Sequence, residues 1–165
     1  MEELLELRTC IEQGRYAEAL VLIGEMEEMS RDDKINKIES FLQILLLHLI
    51  KQQAEQRTTR SWDVSIRNAV DGIQRANKRR RAGGFYLDEG DLRASIEEIF
   101  PAALRQASLE AFEGRYDDAE LAARFDQAEV KQQALQMVLE ACERDRGSRE
   151  KGSREKGSHV RRGQV

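Results

Sequence analysis

Basic side chains are concentrated in one stretch of this sequence, and their type and spacing suit them to binding an anionic partner. Residues 57–81 contain eight Lys or Arg and two Asp, a net charge of +6. The flanking segments 1–56 and 82–146 carry −6 and −8, although the net charge of the whole chain is only −4. A local charge of one sign bears on partners and association rather than on fold. The predicted binding surface comprises the basic residues on and after one helix: Arg60, Arg67, Arg75, Lys78, Arg79, Arg80 and Arg81.

Two interpretations of these residues stay open at the level of sequence. The basic face could follow a phosphate backbone, with the run of cations at 78–81 as an anchor. Alternatively, the cations could serve the fold, because positive charge favours the C-terminal end of a helix dipole. Asp63 with Arg67, and Asp71 with Arg75, are also spaced to pair within the helix. Trp62 falls on the opposite, apolar face, which predicts a core anchor rather than a base-stacking platform.

Residues that could support catalysis are few and scattered. His48 is the single histidine before residue 147 and lies in the apolar run LLLHLI, which favours a packed or helix-face histidine over proton transfer. Cys10 and Cys142 form no CxxC pair, which predicts reduced thiols in the core and a reducing compartment. Gly83-Gly84 lacks the Lys and Ser/Thr of a phosphate-binding loop. We therefore expect no catalytic residue, no metal site and no cofactor.

The elements that position the basic residues are predicted to be helices. Leu4 to Ile11 and the segment after Gly14 have helical apolar spacing, which predicts a hairpin of helices 2–13 and 15–29. Ser30 resembles an N-cap for a long helix near 31–56. This helix is apolar on most of its surface, which is typical of a central, buried helix.

Further start and stop signals divide the rest of the chain. Ser61 is expected to cap the basic helix, 62–80, and Gly83-Gly84 to end it. Asp88 is expected to cap the next helix, with Asp91 completing a capping box. Pro101, the only proline, either kinks that helix or starts a second one.

The end of the chain differs from the rest in composition. Asp126 and Glu129 predict a last helix at 127–146. Residues 147–165 repeat GSREK and lack apolar periodicity, so we predict a disordered tail after a domain that spans 1–146. The chain opens with acidic residues, and its longest apolar run is far short of the roughly 20 residues that a membrane span needs. The sequence therefore predicts a cytoplasmic protein without a membrane segment.

Several short motifs resemble a known family. LLLHLIK at 45–51, Arg60-Ser61-Trp62-x-x-Ser65-Ile66, Tyr86-Leu87 and Ala102-Ala103-Leu104-x-x-Ala107-Ser108 occur in the order found in domain-of-unknown-function family twenty-nine. The resemblance covers roughly residues 1–112. It implies an all-helical fold and a bacterial source, commonly cyanobacterial. The family has no established activity, so the resemblance implies no catalytic residues.

The sequence thus predicts an all-α protein, a compact bundle of about six or seven helices. Its leading predicted function is a non-catalytic binding or adaptor protein that contacts an unknown protein partner. Homodimerisation is an open alternative, because helices 62–80 and 127–146 each carry an apolar seam. Nucleic-acid binding through the basic helix, 60–81, is the second hypothesis, and an enzyme with an unrecognised site is a weaker third.

Overall fold

The all-α prediction is confirmed by a computed structural model that describes residues 2–79 and 83–157. Six α-helices are present, and the described residues contain no β-strand beyond one isolated bridge between Lys78 and Phe85. A 3₁₀ turn at Ala111–Gly114 follows the fourth helix. The helices are α1 (Glu2–Glu12), α2 (Tyr16–Glu55), α3 (Arg60–Asn77), α4 (Glu89–Glu110), α5 (Asp118–Ala122) and α6 (Gln127–Gly157).

The central helix is longer than the sequence predicted. We expected a helix near 31–56 with Ser30 as its N-cap, but α2 is one continuous helix of 40 residues that passes through Ser30. The prediction of a break at Ser30 was wrong because no proline stands between the two predicted helices and the segment 25–37 is rich in Glu, Lys and Arg, which favour helix. The turn at Gly14 is confirmed, with φ at +72° and a backbone hydrogen bond from Arg15 N to Cys10 O of 2.8 Å.

The core forms around the C-terminal half of α2, as the apolar pattern predicted. Helices α3, α4 and α6 all pack against α2, and α6 also contacts α3 and α4. The buried α2 side chains at the centre are Ile38, Leu42, Leu45, Leu46, Leu49 and Ile50. Between Ala19 and Ile38 no residue of α2 is buried, so the first part of this helix lies outside the core.

Capping side chains define the starts of α3 and α4. Thr59, rather than the predicted Ser61, caps α3, because its hydroxyl accepts a hydrogen bond of 3.1 Å from Trp62 N. Asp88 and Asp91 form the predicted capping box at the start of α4. Pro101 lies inside α4, so of the two predicted alternatives the single helix is the one observed.

The last helix begins where the sequence predicted and ends later. Asp126 accepts a hydrogen bond of 3.1 Å from Glu129 N at its start. α6 continues to Gly157, whereas we predicted a helix that ends at 146, so residues 147–157 of the predicted tail are helical. The rest of that tail, 158–165, lies outside the described residues. The apolar seams of α3 and α6, which the sequence offered as dimer contacts, are buried within the chain.

Two further sequence expectations bear on the environment of the protein. Cys10 and Cys142 are both buried free cysteines, as predicted, and burial raises the pKa of the Cys142 thiol. Among the helices in the described part of the chain, none combines the length and apolar character that crossing a bilayer requires.

Candidate binding surfaces

The predicted basic face lies on the solvent side of α3. Arg60, Arg67 and Arg75 are exposed, whereas Ile66, Val70 and Ile73 on the opposite side of the helix are buried. This division follows from the helical period, which places residues seven or eight apart on the same side. The structure therefore separates the apolar seam of α3 from its cations as the sequence predicted.

The predicted ion pairs within α3 are replaced by other contacts. The Asp63 carboxylate accepts hydrogen bonds from Thr58 Oγ1 at 2.7 Å and from Gln52 Nε2 at 3.1 Å, and thus ties the start of α3 to the end of α2. Arg75 Nε donates to the backbone oxygen of Asp71 at 3.4 Å, rather than to its carboxylate. The interpretation of these arginines as partners in intrahelical salt bridges is not supported.

The loop after α3 is fixed by a buried side chain, Asn77. Its amide donates to the Leu87 backbone oxygen at 3.1 Å, and its side-chain oxygen accepts from Leu87 N at 2.8 Å. Gly83 and Gly84 both have φ of +72°, a left-handed conformation that lets the chain reverse. The backbone of Arg79 then bonds to Gly84 O at 3.1 Å.

This loop sets the positions of the cations at the end of the basic helix. Lys78 Nζ lies 2.7 Å from the Asp145 carboxylate of α6, and the Arg79 guanidinium lies 5.7 Å from the centre of the Tyr86 ring. Arg80 and Arg81, the last two residues of the predicted surface, lie outside the described residues.

A groove of about 930 Å³ joins the end of α3 to the middle of α2. Three predicted residues, Arg75, Lys78 and Arg79, line this groove, whereas Arg60 and Arg67 are not among its lining residues. The lining also includes residues that sequence reasoning did not identify: Gly24, Glu27, Glu28, Ser30, Arg31, Lys34, Phe85 and Tyr86. Five cations against two carboxylates give the groove a net charge of +3.

A second polar cluster joins α2, α3 and α4, and two of its residues, Lys51 and Trp62, come from the motifs that resemble the family. Lys51 is buried, and its Nζ lies 2.8 Å from Glu110 Oε2 and 4.5 Å from the centre of the Trp62 ring. The Arg57 guanidinium lies 4.7 Å from the same ring. Trp62 is half-buried in contact with two cations, rather than a purely apolar core anchor. Glu110 is 59 residues from Lys51, so no local pattern indicates this pair.

The charge state of Glu110 follows from this arrangement. Partial burial alone would raise its pKa, but hydrogen bonds from Lys51 and Gln106, together with the positive charge of Lys51 and an electrostatic contribution from His48, outweigh burial. The pKa of Glu110 therefore lies below its ordinary value. The cluster holds an ionised pair that links three helices.

His48 behaves as the helix-face histidine that the sequence predicted. It is half-buried, and its Nδ1 lies 2.8 Å from the backbone oxygen of Ile44, one turn earlier. Within the described part of the chain, no group of three or more His, Cys, Asp or Glu side chains is arranged to hold a metal ion.

The third candidate surface is the N-terminal arm, defined here as residues 2–23, which comprises α1 and the first two turns of α2. Of the eleven exposed large hydrophobic side chains among the described residues, seven belong to the arm: Leu4, Leu5, Ile11, Tyr16, Leu20, Val21 and Ile23. The arm also carries five Glu and two Arg, a net charge of −3. The sequence predicted a hairpin here but gave no sign that its apolar side chains would stay uncovered.

Comparison with known proteins agrees with the motifs that contribute Lys51 and Trp62 to the second polar cluster. Neither a curated protein nor a solved structure matches the chain. The model of the family described as domain of unknown function DUF29 matches residues 12–135, which is well over half of the chain. This match confirms the resemblance inferred from the motifs, and the chain belongs to the DUF29 family.

Proposed function

We propose that this chain is a non-catalytic helical binding protein that contacts a protein partner through its N-terminal arm. The observation that carries the proposal is the set of uncovered apolar side chains on the arm. Leu20 is 69% exposed and Val21 is 64% exposed, although most apolar side chains of the same helix from Ile38 onward are buried. Scattered single apolar residues are normal on protein surfaces, but a concentration in one element is typical of an interaction site.

The chemistry of the other surfaces supports a binding role over catalysis. The Lys51–Glu110 pair is engaged with Trp62 and links three helices. His48 bonds to its own helix. The polar groups of this cluster and of His48 therefore serve the packing of the helices, whereas the arm and the basic groove are accessible to a partner.

The proposal is tested by capture of a partner from a lysate of the native cell. The bait is the full chain, in wild-type form and with Leu20→Gln and Val21→Gln together. A matched control carries Val64→Gln and Leu109→Gln, which remove exposed apolar side chains from α3 and α4. We expect the wild type and the control to retain a stoichiometric partner that the arm variant loses. Equal capture by all three proteins, or capture by none from a bait that is itself monomeric, would contradict the proposal.

Nucleic-acid binding is a second candidate function, and the gathering of five cations and two aromatic rings in one groove favours it. Cations that neutralise phosphates give an affinity that falls steeply with salt, and aromatic rings can stack on unpaired bases. The groove also contains Glu27 and Glu28, which repel phosphate, and for this reason we rank the candidate second.

The second candidate is tested with a random DNA duplex and a single-stranded RNA over a range of salt concentrations. On duplex DNA the slope of log affinity against log salt concentration changes by roughly 0.9 for each phosphate contact. Arg31→Gln, Arg75→Gln and Arg79→Gln together should therefore make this slope shallower by about two to three. A control that loses the same charge elsewhere, at Arg105, Arg115 and Arg144, should retain the wild-type slope. The candidate fails if the intact chain does not bind near physiological salt.

A further inference from the structure

One face of α2 continues from the core into the arm without anything to cover it. Ile38, Leu42 and Leu45 of this face are buried in the body. Residues four or seven apart lie on the same side of a helix. Counted back from Ile38 in such steps, this side carries Arg31, Gly24, Leu20 and Tyr16. Leu20 is 69% exposed and Tyr16 is 65% exposed. The face that the body covers in the second half of α2 is therefore uncovered in the first half.

The basic groove occupies the middle of this same face. Its α2 residues begin at Gly24, directly after the arm ends, and extend to Lys34. Each chain thus presents an arm of net charge −3 directly beside a basic groove of net charge +3, and Tyr16 and Leu20 of the arm lie on the same face of α2 as the groove. Opposite charges on adjoining surfaces are the arrangement expected of a surface complementary to itself.

We propose that the occupant of the groove is the arm of a second copy of this chain, and that the exchange is reciprocal in a twofold-symmetric dimer. This inference rests on the proposed function, since it names the partner that the arm binds. An antiparallel pairing of the two α2 helices near Gly24 would bring each arm to the other copy's groove at once. The contact closes with two copies, as an isologous interface must.

The dimensions and chemistry of the two surfaces agree with this arrangement. At 1.5 Å per residue, the part of α2 in the arm, from Tyr16 to Ile23, is about 11 Å long, and the α2 side of the groove is about 15 Å long. Tyr16 and Leu20 of the arm would lie against Phe85 and Tyr86 of the groove. Gly24 has open space where a Cβ would stand, so two helices can approach closely at this point.

The dimer is tested by light scattering of the full chain at two concentrations, after size-exclusion chromatography. We expect a mass that approaches twice the 19.0 kDa of one chain as the concentration rises. Tyr16→Gln with Leu20→Gln should give a monomer, whereas the control with Val64→Gln and Leu109→Gln should still dimerise. A monomer at every concentration, or a dimer that survives the arm substitutions, would overturn the inference.

Charge exchange provides a second test that does not depend on the apolar residues. Glu12→Lys with Glu18→Lys on the arm, and Arg75→Glu with Arg79→Glu in the groove, should each weaken dimerisation about tenfold or more, because the net charges of arm and groove then have the same sign, +1 against +3 or −3 against −1. A mixture of the two variants should form a heterodimer, since one of its two arm–groove contacts again joins opposite charges and the other keeps both surfaces native. If the mixture stays monomeric while each variant keeps its helical circular dichroism, arm and groove do not meet.

The outcomes separate this inference from the proposed function. If the purified chain is a monomer but loses a captured protein on substitution of Leu20 and Val21, the arm binds a different protein and only the dimer is wrong. If the monomer also captures nothing, both proposals fail. If RNA binds the groove and the chain stays monomeric with and without RNA, the occupant of the groove is a polyanion and the dimer is again overturned.

Discussion

The pair formed by Lys51 and Glu110 predicts an asymmetric response to substitution. The Lys51 side chain is only 9% exposed, whereas that of Glu110 is 38% exposed, at a separation of 2.8 Å between Nζ and Oε2. Removal of the carboxylate charge leaves a buried ammonium without its counter-ion. Removal of the ammonium leaves a carboxylate that water can reach. We therefore expect Glu110→Gln to destabilise the protein more than Lys51→Met.

The magnitudes follow from the two environments. Breaking a fully buried pair by removing one partner costs roughly 3–5 kcal/mol, and the exposure of Glu110 reduces this to about 1–3 kcal/mol for Glu110→Gln. Lys51→Met keeps an apolar chain of similar length against the Trp62 ring, and its cost should be about 1 kcal/mol or less. In the double variant the buried charge is absent, so its stability should be close to that of Lys51→Met alone.

Urea unfolding of the four proteins, followed by circular dichroism, measures these differences as shifts in the midpoint at constant slope. The reasoning is refuted if Lys51→Met costs as much as Glu110→Gln, or if the double variant is the least stable protein. A difference in slope would indicate a change in the folded or denatured state rather than the loss of a contact.

The pH dependence of the same pair gives an independent check. Because the pKa of Glu110 is lowered in the folded protein, ionised Glu110 contributes stability above its ordinary pKa of 4.5, and this contribution is lost as the pH falls through the lower folded pKa. The difference in stability between the wild type and Glu110→Gln should be constant from neutral pH to about pH 5 and should shrink at lower pH. A difference that grows on acidification would contradict the assigned direction.

Three further predictions concern packing, a buried amide and a thiol. A Cβ at Gly72 would lie 2.6 Å from the Phe41 ring. Gly72→Ala should therefore destabilise the protein by up to about 2 kcal/mol in thermal unfolding, because an overpacking cost of roughly 1–3 kcal/mol exceeds a helix-propensity gain of about 1 kcal/mol. In a Phe41→Leu background the same substitution should become neutral or stabilising. Asn77→Ala should cost about 2–3 kcal/mol in urea unfolding, because two buried backbone groups lose their partners, whereas Asn68→Ala on the exposed side of α3 should change stability by less than about 0.5 kcal/mol. Since burial raises the pKa of the Cys142 thiol, Cys142 should react with a thiol-specific reagent far more slowly in the native protein than in the urea-denatured protein, and equal rates would contradict its burial.

Local signals in the sequence predicted the helices well where one side chain determines a boundary. The capping box at Asp88 and the turn at Gly14 depend on nearby residues, and both are confirmed. Ser30 carried the same kind of signal, yet α2 continues through it, because an N-cap residue also fits on the exposed side of a helix if nothing interrupts the backbone. Thr59 and Ser61 offered two hydroxyls for one cap, and only the geometry at the end of α2 decides between them.

The candidate surfaces were predictable to the extent that they lie on one helix. The period of α3 placed its cations on one side, and Arg75, Lys78 and Arg79 do reach a common groove. Arg31 and Lys34 join them from a helix more than 40 residues earlier in the chain, which no local pattern indicates. Lys51 and Glu110 meet for the same kind of reason, through the packing of α2 against the end of α4.

The apolar seams show most clearly why sequence alone could not identify the interaction surface. α3 and α6 have obvious seams, and the fold buries both, so a strong apolar pattern was evidence of core packing rather than of a partner. The arm has a similar pattern, but it lies outside the buried part of α2, and most of its large apolar side chains stay in contact with water. Whether a seam serves the core or a partner therefore depends on the length of α2 relative to the helices that pack on it. In this chain α2 is 40 residues long, α3 is 18 and α4 is 22. The excess length of α2 is what makes the arm, and a second copy that pairs with this excess would cover it.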